Sequence, residues 1–278
     1  VNLASDVVRA ISNLIDAHDL CSLWLAGDRH LCLLLRLSVS RFELVYTKPL
    51  QLFWPALISQ FTNLKELVLE ISKDITGCRD MWLWNTNLSD VPRGIRKLDF
   101  AFGLDFALFL HCKDVRHSDN FSMMNLRNSF PELEEFRCRG TTRIRALAGK
   151  EICSIWPETL QSVVLRECDL MQSDIALLPR GLRLLDCRLG QRAFWGDCAN
   201  PFPSSLQTLR LSNAVDVRVF GYVPPTVTDL ALAFFPESTS EAVHGWNLLK
   251  SPETLVSLSV SNQKFDVSVA PYVPPHLT

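Results

Sequence analysis

The sequence predicts an α/β solenoid, a curved parallel sheet whose other side passes from helical to loop-like along the chain, with a small helical head at its amino-terminal end. Three observations predict it. The element apolar-Pro-x-x-aliphatic recurs as "WPETL" from Trp156, "LPRGL" from Leu178, "FPSSL" from Phe202 and "VPPTV" from Val223. Each copy opens a run of the form aliphatic-x-x-aliphatic-x-aliphatic, the period-two alternation of a strand with one buried face. Residues 1–40 lack this element and carry helical periodicity instead.

Aligning on the aliphatic residue that ends each element places anchors at Leu64, Ile95, Leu133, Leu160, Leu182, Leu206, Val227, Leu255 and Leu277. Subtracting neighbours gives spacings of 31, 38, 27, 22, 24, 21, 28 and 22 residues, most of them inside the range of short solenoid repeats. Complete runs follow eight anchors: Leu64/Leu67/Leu69, Ile95/Leu98/Phe100, Leu133/Phe136/Cys138, Leu160/Val163/Leu165, Leu182/Leu185/Cys187, Leu206/Leu209/Leu211, Val227/Leu230/Leu232 and Leu255/Leu258/Val260. A proline just before the strand fixes φ and ends the preceding segment. One such strand cannot bury its apolar side alone, so the units are expected to stack into a parallel sheet over a continuous core. In the long early units, "FALFLHCKDVRHSDNFSMMNLRNSF" and "PLQLFWPALISQF" are expected to supply helices. The shorter later units leave room for a turn or a 3₁₀ segment.

The head reads as three short helices. In "SDVVRAISNLI" the residues Val7, Val8, Ile11, Leu14 and Ile15 share one helical face, with Ser5 or Asp6 placed to cap or complement its start. "DLCSLWLAG" follows, begun by Asp16 and stopped by Gly27, and then "RHLCLLLRL". Three helices in so few residues cannot bury a stable core unaided, so the head is expected to lean on the repeats.

The repeat pattern resembles the leucine-rich repeat family, whose consensus L-x-x-L-x-L-x-x-N/C-x-L is best kept by "LQSVVLRECDL", with Cys168 at the Asn/Cys position. Ser72, Gly103, Thr141, Gly190, Ala214, Phe235 and Gln263 occupy that position in the other units. The side-chain ladder that normally satisfies the loop backbone is therefore expected to be replaced by other partners. The head resembles an F-box. Leu3 stands at the leading Leu, Asp6 at the Glu, Val8 and Ile11 at the aliphatic pair, and Ile15-Asp16 with Asp19-Leu20 at the turn, continued by Leu23, Leu25 and Arg29. Ala4 replaces the usual Pro, Ala26-Gly27 the Val-Cys pair and His30 the Trp.

These resemblances imply a head at 1–40 and a repeat solenoid at 41–278. They further imply a substrate receptor of a Skp–cullin–F-box ubiquitin ligase, whose head docks a Skp-type adaptor through Leu3, Val8, Ile11, Ile15 and Leu20 while the repeats hold a protein substrate. The alternative is a non-catalytic scaffold or structural subunit, with the head serving only as a cap on the first repeat.

Composition narrows the classes further. Lys and Arg number 28 against 30 Asp and Glu, so bulk charge gives no argument for nucleic acid or an anionic membrane. No apolar run reaches the length of a membrane span. Nine cysteines form no C-x-x-C pair, and several stand at apolar positions of the repeat, as expected of buried thiols in a reducing cytoplasmic or nuclear setting. The six histidines make no H-x-x-x-H, and "HCKDVRH" from His111 spaces its ligand-type residues poorly for one helix face. No phosphate loop, dinucleotide fingerprint or nucleophile elbow is present, so no catalytic residue, metal or cofactor is expected. "MWLWNTNL" offers Trp82 and Trp84 at the same parity, readable as a partner contact or as a side chain packed under the loop. Val1 at one end and a fresh "YVPPHL" at the other suggest a piece of a longer chain.

With each anchor counted as position one, positions three, five and seven face the side expected to be concave, where repeat proteins meet partners. Arg139, Arg166 and Arg188 occupy position seven of successive units, and Arg137 and Arg210 position five of theirs. Guanidinium forks so grouped suit an acidic or phosphorylated segment, while Glu135 and Asp186 are available to pair with them internally.

Overall fold

A computed structural model describes residues 19, 22, 29–46, 58–71, 91–102, 107–111, 123–124, 126–139, 143–147, 156–170, 172–189, 200–214, 217–234 and 253–261. The strands among them are β1 (Arg41–Tyr46), β2 (Glu66–Ile71), β3 (Lys97–Phe102), β4 (Ala107–His111), β5 (Met123–Met124), β6 (Glu135–Arg139), β7 (Arg143–Leu147), β8 (Ser162–Leu170), β9 (Leu184–Leu189), β10 (Thr208–Ala214), β11 (Asp229–Phe234) and β12 (Ser257–Ser261). Nine follow one another in an open, solenoid-like parallel sheet ordered β1-β2-β3-β6-β8-β9-β10-β11-β12. The other three make a side branch in which β4 pairs with β5 and β7, and β7 joins β8 where Arg143 meets Asp169.

One backbone device repeats along the stack. The carbonyl at position two of each unit accepts from two successive N–H groups of the next: Gln161 from Arg183 and Leu184, Arg183 from Gln207 and Thr208, Gln207 from Thr228 and Asp229. The same device links Ser40 at one end to Thr228, whose partners are Val256 and Ser257, at the other. Within each turn the anchor N–H bonds back three residues, from Leu160 to Pro157, Leu182 to Pro179, Leu206 to Pro203 and Val227 to Pro224. The proline carbonyl closes the turn while its ring keeps the preceding segment from continuing into the strand.

The interior is one continuous core. Every described anchor from Leu64 to Leu255 is buried, and Val163, Leu165, Leu185, Leu209 and Leu230 are buried at positions four and six as the alternation predicts. Cys138 and Cys187 fill the same layer as small apolar groups. At β12 the burial weakens, Leu258 and Val260 being only partly covered.

Helix α1 (Arg29–Ser38) ends in the Val39 N–H to Leu35 carbonyl bond, and Leu35, Val39 and Phe42 enter the core. Val39-x-x-Phe42-x-Leu44 therefore begins a unit ahead of Leu64, paired residue for residue with β2. It has no proline signature, which hid it. Leu35 and Val39, assigned to the head by sequence, thus pack into the sheet's own core.

The early units depart from expectation. Among its described residues, "FALFLHCKDVRHSDNFSMMNLRNSF" holds strands β4 and β5 and a helical turn, α2 (Leu126–Ser129), with strand at Ala107–His111 in place of the expected helix. A continuous apolar run of this kind suits a short strand as well as a helix, and a parallel neighbour in β7 decides the matter. Among the described residues the later units keep to expectation, with a helical turn, α3 (Gln172–Ile175), and a 3₁₀ turn at Val217–Tyr222. Most of "PLQLFWPALISQF" lies outside the described residues.

The missing ladder has a replacement. One residue before the anchor, the hydroxyls of Thr159, Thr226 and Thr254 each lie between two carbonyls of the preceding turn: Pro131 and Leu133, Ser204 and Leu206, Pro225 and Val227. Ser205 repeats the arrangement with Arg180 and Leu182, and Asn63 reaches Leu37 at 2.7 Å. Farther along β10, a register shift between Ser212 and Ala214 leaves Asn213 at φ 62°, and its amide donates to the Leu189 carbonyl at 2.9 Å. The polar group thus stands one residue before Ala214, the position aligned with the consensus, and asparagine tolerates this left-handed backbone.

Candidate functional site

The alternation that buries positions four and six turns positions three, five and seven outward, and parallel pairing in register aligns them into three rows across the nine strands. The rows differ in chemistry.

Row three reads Arg41, Glu66, Lys97, Glu135 over β1, β2, β3 and β6, alternating in sign. Arg41 Nε lies 3.4 Å from Glu66, and Lys97 Nζ 3.0 Å from Glu135. Exposed pairs of this kind hold the face in order and add little stability. Row five places Asp99 in register with Arg137, and Asp186 in register with Arg210. Arg137 also lies 3.7 Å from Glu135, and Arg210 2.9 Å from Asp229 on the next strand.

Row seven is different. Arg139 and Arg166 are register partners on β6 and β8, and Arg188 follows on β9. Between the latter two strands the register shifts from Leu165 to Asp169, so that Asp169 becomes the backbone partner of Arg188. Three successive strands carry arginine here, flanked by the small Ala101 and Ser212.

Acids reach these arginines from neighbouring rows. Arg139 Nη2 contacts Asp99 Oδ2 at 3.4 Å, and the second oxygen, Oδ1, is buried with no hydrogen-bond partner among the described residues. Burial pushes the Asp186 carboxyl above its ordinary range, and the Arg166 and Arg210 guanidinium groups pull against that shift.

The structure thus brings all five arginines expected from sequence, Arg137, Arg139, Arg166, Arg188 and Arg210, onto one outward face, Arg188 half-buried and the others exposed. Of the expected acids, Glu135 and Asp186 stand among them. Asp99 and Asp229 were not anticipated, since Asp99 lies 40 residues from Arg139 in the chain. Two apolar residues on this face also escaped notice: Val164 at position five of β8 and Leu184 at position three of β9, both half-buried. Reading down the rows from unit to unit exposes all four.

Leu3, Val8, Ile11, Ile15 and Leu20 lie outside the described residues, as do Trp82, Trp84 and all of "HCKDVRH" except His111. Among the described residues no group of three or more His, Cys, Asp or Glu is placed to hold a metal ion, and no helix is long and apolar enough to cross a membrane. Comparison of the chain with protein-family models returns no match. Comparison with curated proteins returns no significant match.

Proposed function

We propose that this chain is a non-catalytic protein-recognition module whose outward sheet face holds a protein substrate, and that it serves as the substrate receptor of a Skp–cullin–F-box ubiquitin ligase. The observation that supports recognition is the face itself: nine parallel strands present position-three, -five and -seven side chains in three rows, including a row of adjacent arginines. A surface of many strands offers many weak contacts at fixed spacing, which suits a macromolecular partner better than a small molecule. The ligase assignment rests on the F-box-like pattern from Leu3 to Arg29 and on its order before leucine-rich-repeat-like units. In this reading Leu3, Val8, Ile11, Ile15 and Leu20 dock a Skp-type adaptor, the adaptor recruits a cullin, and the chain works in the cytoplasm or nucleus without a cofactor.

The test is affinity purification from native lysate. Adaptor and cullin are expected to co-purify, and Ile11→Asp with Leu20→Asp should remove both while leaving the thermal unfolding of the repeats unchanged, because charge in an apolar contact is costly to desolvate. A chain that never brings down an adaptor is instead a scaffold whose head caps the first unit. The burial of Leu35 and Val39 in the sheet's core favours that second reading.

A further inference from the structure

We infer that the segment bound by this face is acidic with an apolar anchor, and that it crosses β6, β8 and β9 with carboxylates on Arg139, Arg166 and Arg188 and the anchor on Val164 and Leu184. The inference rests on the proposal that the sheet face is the partner surface. From β3 to β11 charge separates along the strand direction: Glu135 and Asp229 lie on row three with Lys97, Asp99 and Asp186 on row five among their arginines, and arginines stand at row seven of β6, β8 and β9, with Asp169 of β8 as the backbone partner of Arg188. A chain laid along row seven meets Arg139 and Arg166 in register on strands about 4.8 Å apart, and then Arg188 on the next strand beyond a register shift. Among the described residues the row is flanked by the small Ala101 on β3 and by Ser212 and Ala233 on β10 and β11.

Val164, one row in from these arginines, and Leu184, two rows in, sit diagonally on adjacent strands, Ser162 being the register partner of Leu184 and Asp186 that of Val164. Burying them on binding would stabilise the complex by the usual apolar term and fix the segment's register. The other bulky apolar residue of rows three and five, Val68 of β2, lies between Glu66 and Glu70, which repel an acidic chain. The geometry thus selects one lane.

Carboxylates fit this lane better than phosphates. Asp99 lies 3.4 Å from Arg139, and Asp186 lies within the field of Arg166, so a dianion would crowd an acid already present. Single negative charges meet these arginines with less repulsion.

The test uses the whole chain and a short fluorescein-labelled peptide of glutamates around one leucine, followed by fluorescence anisotropy. Binding is expected, and it should weaken roughly ten-fold between low ionic strength and about 0.3 M salt. Arg166→Ala with Arg188→Ala should weaken it roughly ten-fold or more, and Arg166→Lys with Arg188→Lys should recover part of the loss by restoring charge without the fork. Val164→Asp should weaken it comparably, whereas Lys65→Ala with Arg96→Ala, at position two, should change it less than about two-fold. Each variant is checked for unaltered unfolding. Replacing the peptide's leucine by serine, or its glutamates by lysine, should abolish binding.

Unchanged affinity in the arginine pair, or tighter binding of a phosphoserine version, overturns the assignment. Ala231→Trp, on the same face beside Arg210 but two strands from Arg188, separates this failure from that of the recognition proposal. If a native partner is lost with Ala231→Trp but kept by the arginine pair, the face binds and the acidic lane is wrong; if both variants keep it, the face is not the partner surface.

Discussion

The early and late units of this sheet share one strand pattern but fill and fasten it differently. From β1 to β6 the core sets phenylalanines, Phe42, Phe61, Phe100, Phe130 and Phe136, among its aliphatic residues. Phe42 packs on Phe61 at 5.6 Å, and Phe136 meets Phe100 at 5.9 Å and Trp156 at 5.7 Å, both edge-on. Exposed ion pairs cross the strands above it, and the residue before the anchor is Asn63, Gly94 or Glu132. From Leu160 to Leu255 the anchors and positions four and six are almost all aliphatic, and Thr159, Ser205, Thr226 and Thr254 fasten four of the five turns to the one before, Gly181 standing at the fifth. Unit length does not set the fastening: Thr159, Ser205, Thr226 and Thr254 each bridge two carbonyls across units of 27, 24, 21 and 28 residues, whereas the unit of 22 residues ends in Gly181.

The largest expected effect tests the aromatic layer. Phe136→Ala should cost about 3 to 5 kcal/mol, because it leaves a cavity between Phe100 and Trp156. Leu165→Ala or Leu185→Ala should cost about 2 to 5 kcal/mol, and Leu258→Ala, at the partly covered end, about 1 kcal/mol. Urea unfolding measures all of them, and equal losses at Phe136 and Leu258 would remove the contrast in packing.

A smaller effect tests the fastenings. Thr226→Val keeps the shape and removes the hydroxyl from the Ser204 and Leu206 carbonyls, and should cost about 1 kcal/mol. Glu132→Ala, at the equivalent position of an early unit, should be close to neutral on the same measurement. Were the two to match, the hydroxyl ladder would not distinguish the halves.

Smaller still, Lys97→Ala breaks the exposed contact with Glu135 and should change stability by less than about 1 kcal/mol, the change fading in high salt.

The least effect belongs to Asp186, flanked by Val164 in register and by the charges of Arg166 and Arg210. Burial raises its folded pKa, so the folded chain holds this proton more tightly than the unfolded one. The contribution is fully present below the unfolded pKa and is lost as pH rises through the folded value. Asp186→Asn should therefore flatten the stability profile just above the ordinary aspartate range; an unaltered slope there would show that the carboxyl is not held by burial.

How much of this was legible differs from residue to residue. Val163 and Leu165 announce an inward face because alternation is local, and a parallel register then repeats it from unit to unit. The five arginines could be placed on one face by the same counting. Their acids could not all be assigned, because Arg139 takes Asp99 and Arg210 takes Asp229 from neighbouring strands, and reach across a sheet depends on how far each side chain leans. The strand at Ala107–His111 was also hidden: an apolar run becomes strand or helix according to its neighbour, and β7 lies more than thirty residues further on.

By itself, then, the sequence determined the repeating strand, its buried and outward positions and the line of its turns, since φ restriction at proline and period-two burial act within a few residues. Only the tertiary structure decided that Val39 starts a unit without a proline, that Thr and Ser hydroxyls stand in for the missing ladder, and that Val164 and Leu184 share the arginine face on adjacent strands. Those outcomes depend on which carbonyl or side chain the preceding turn leaves within reach, a distance set by stacking between units and by nothing inside one unit.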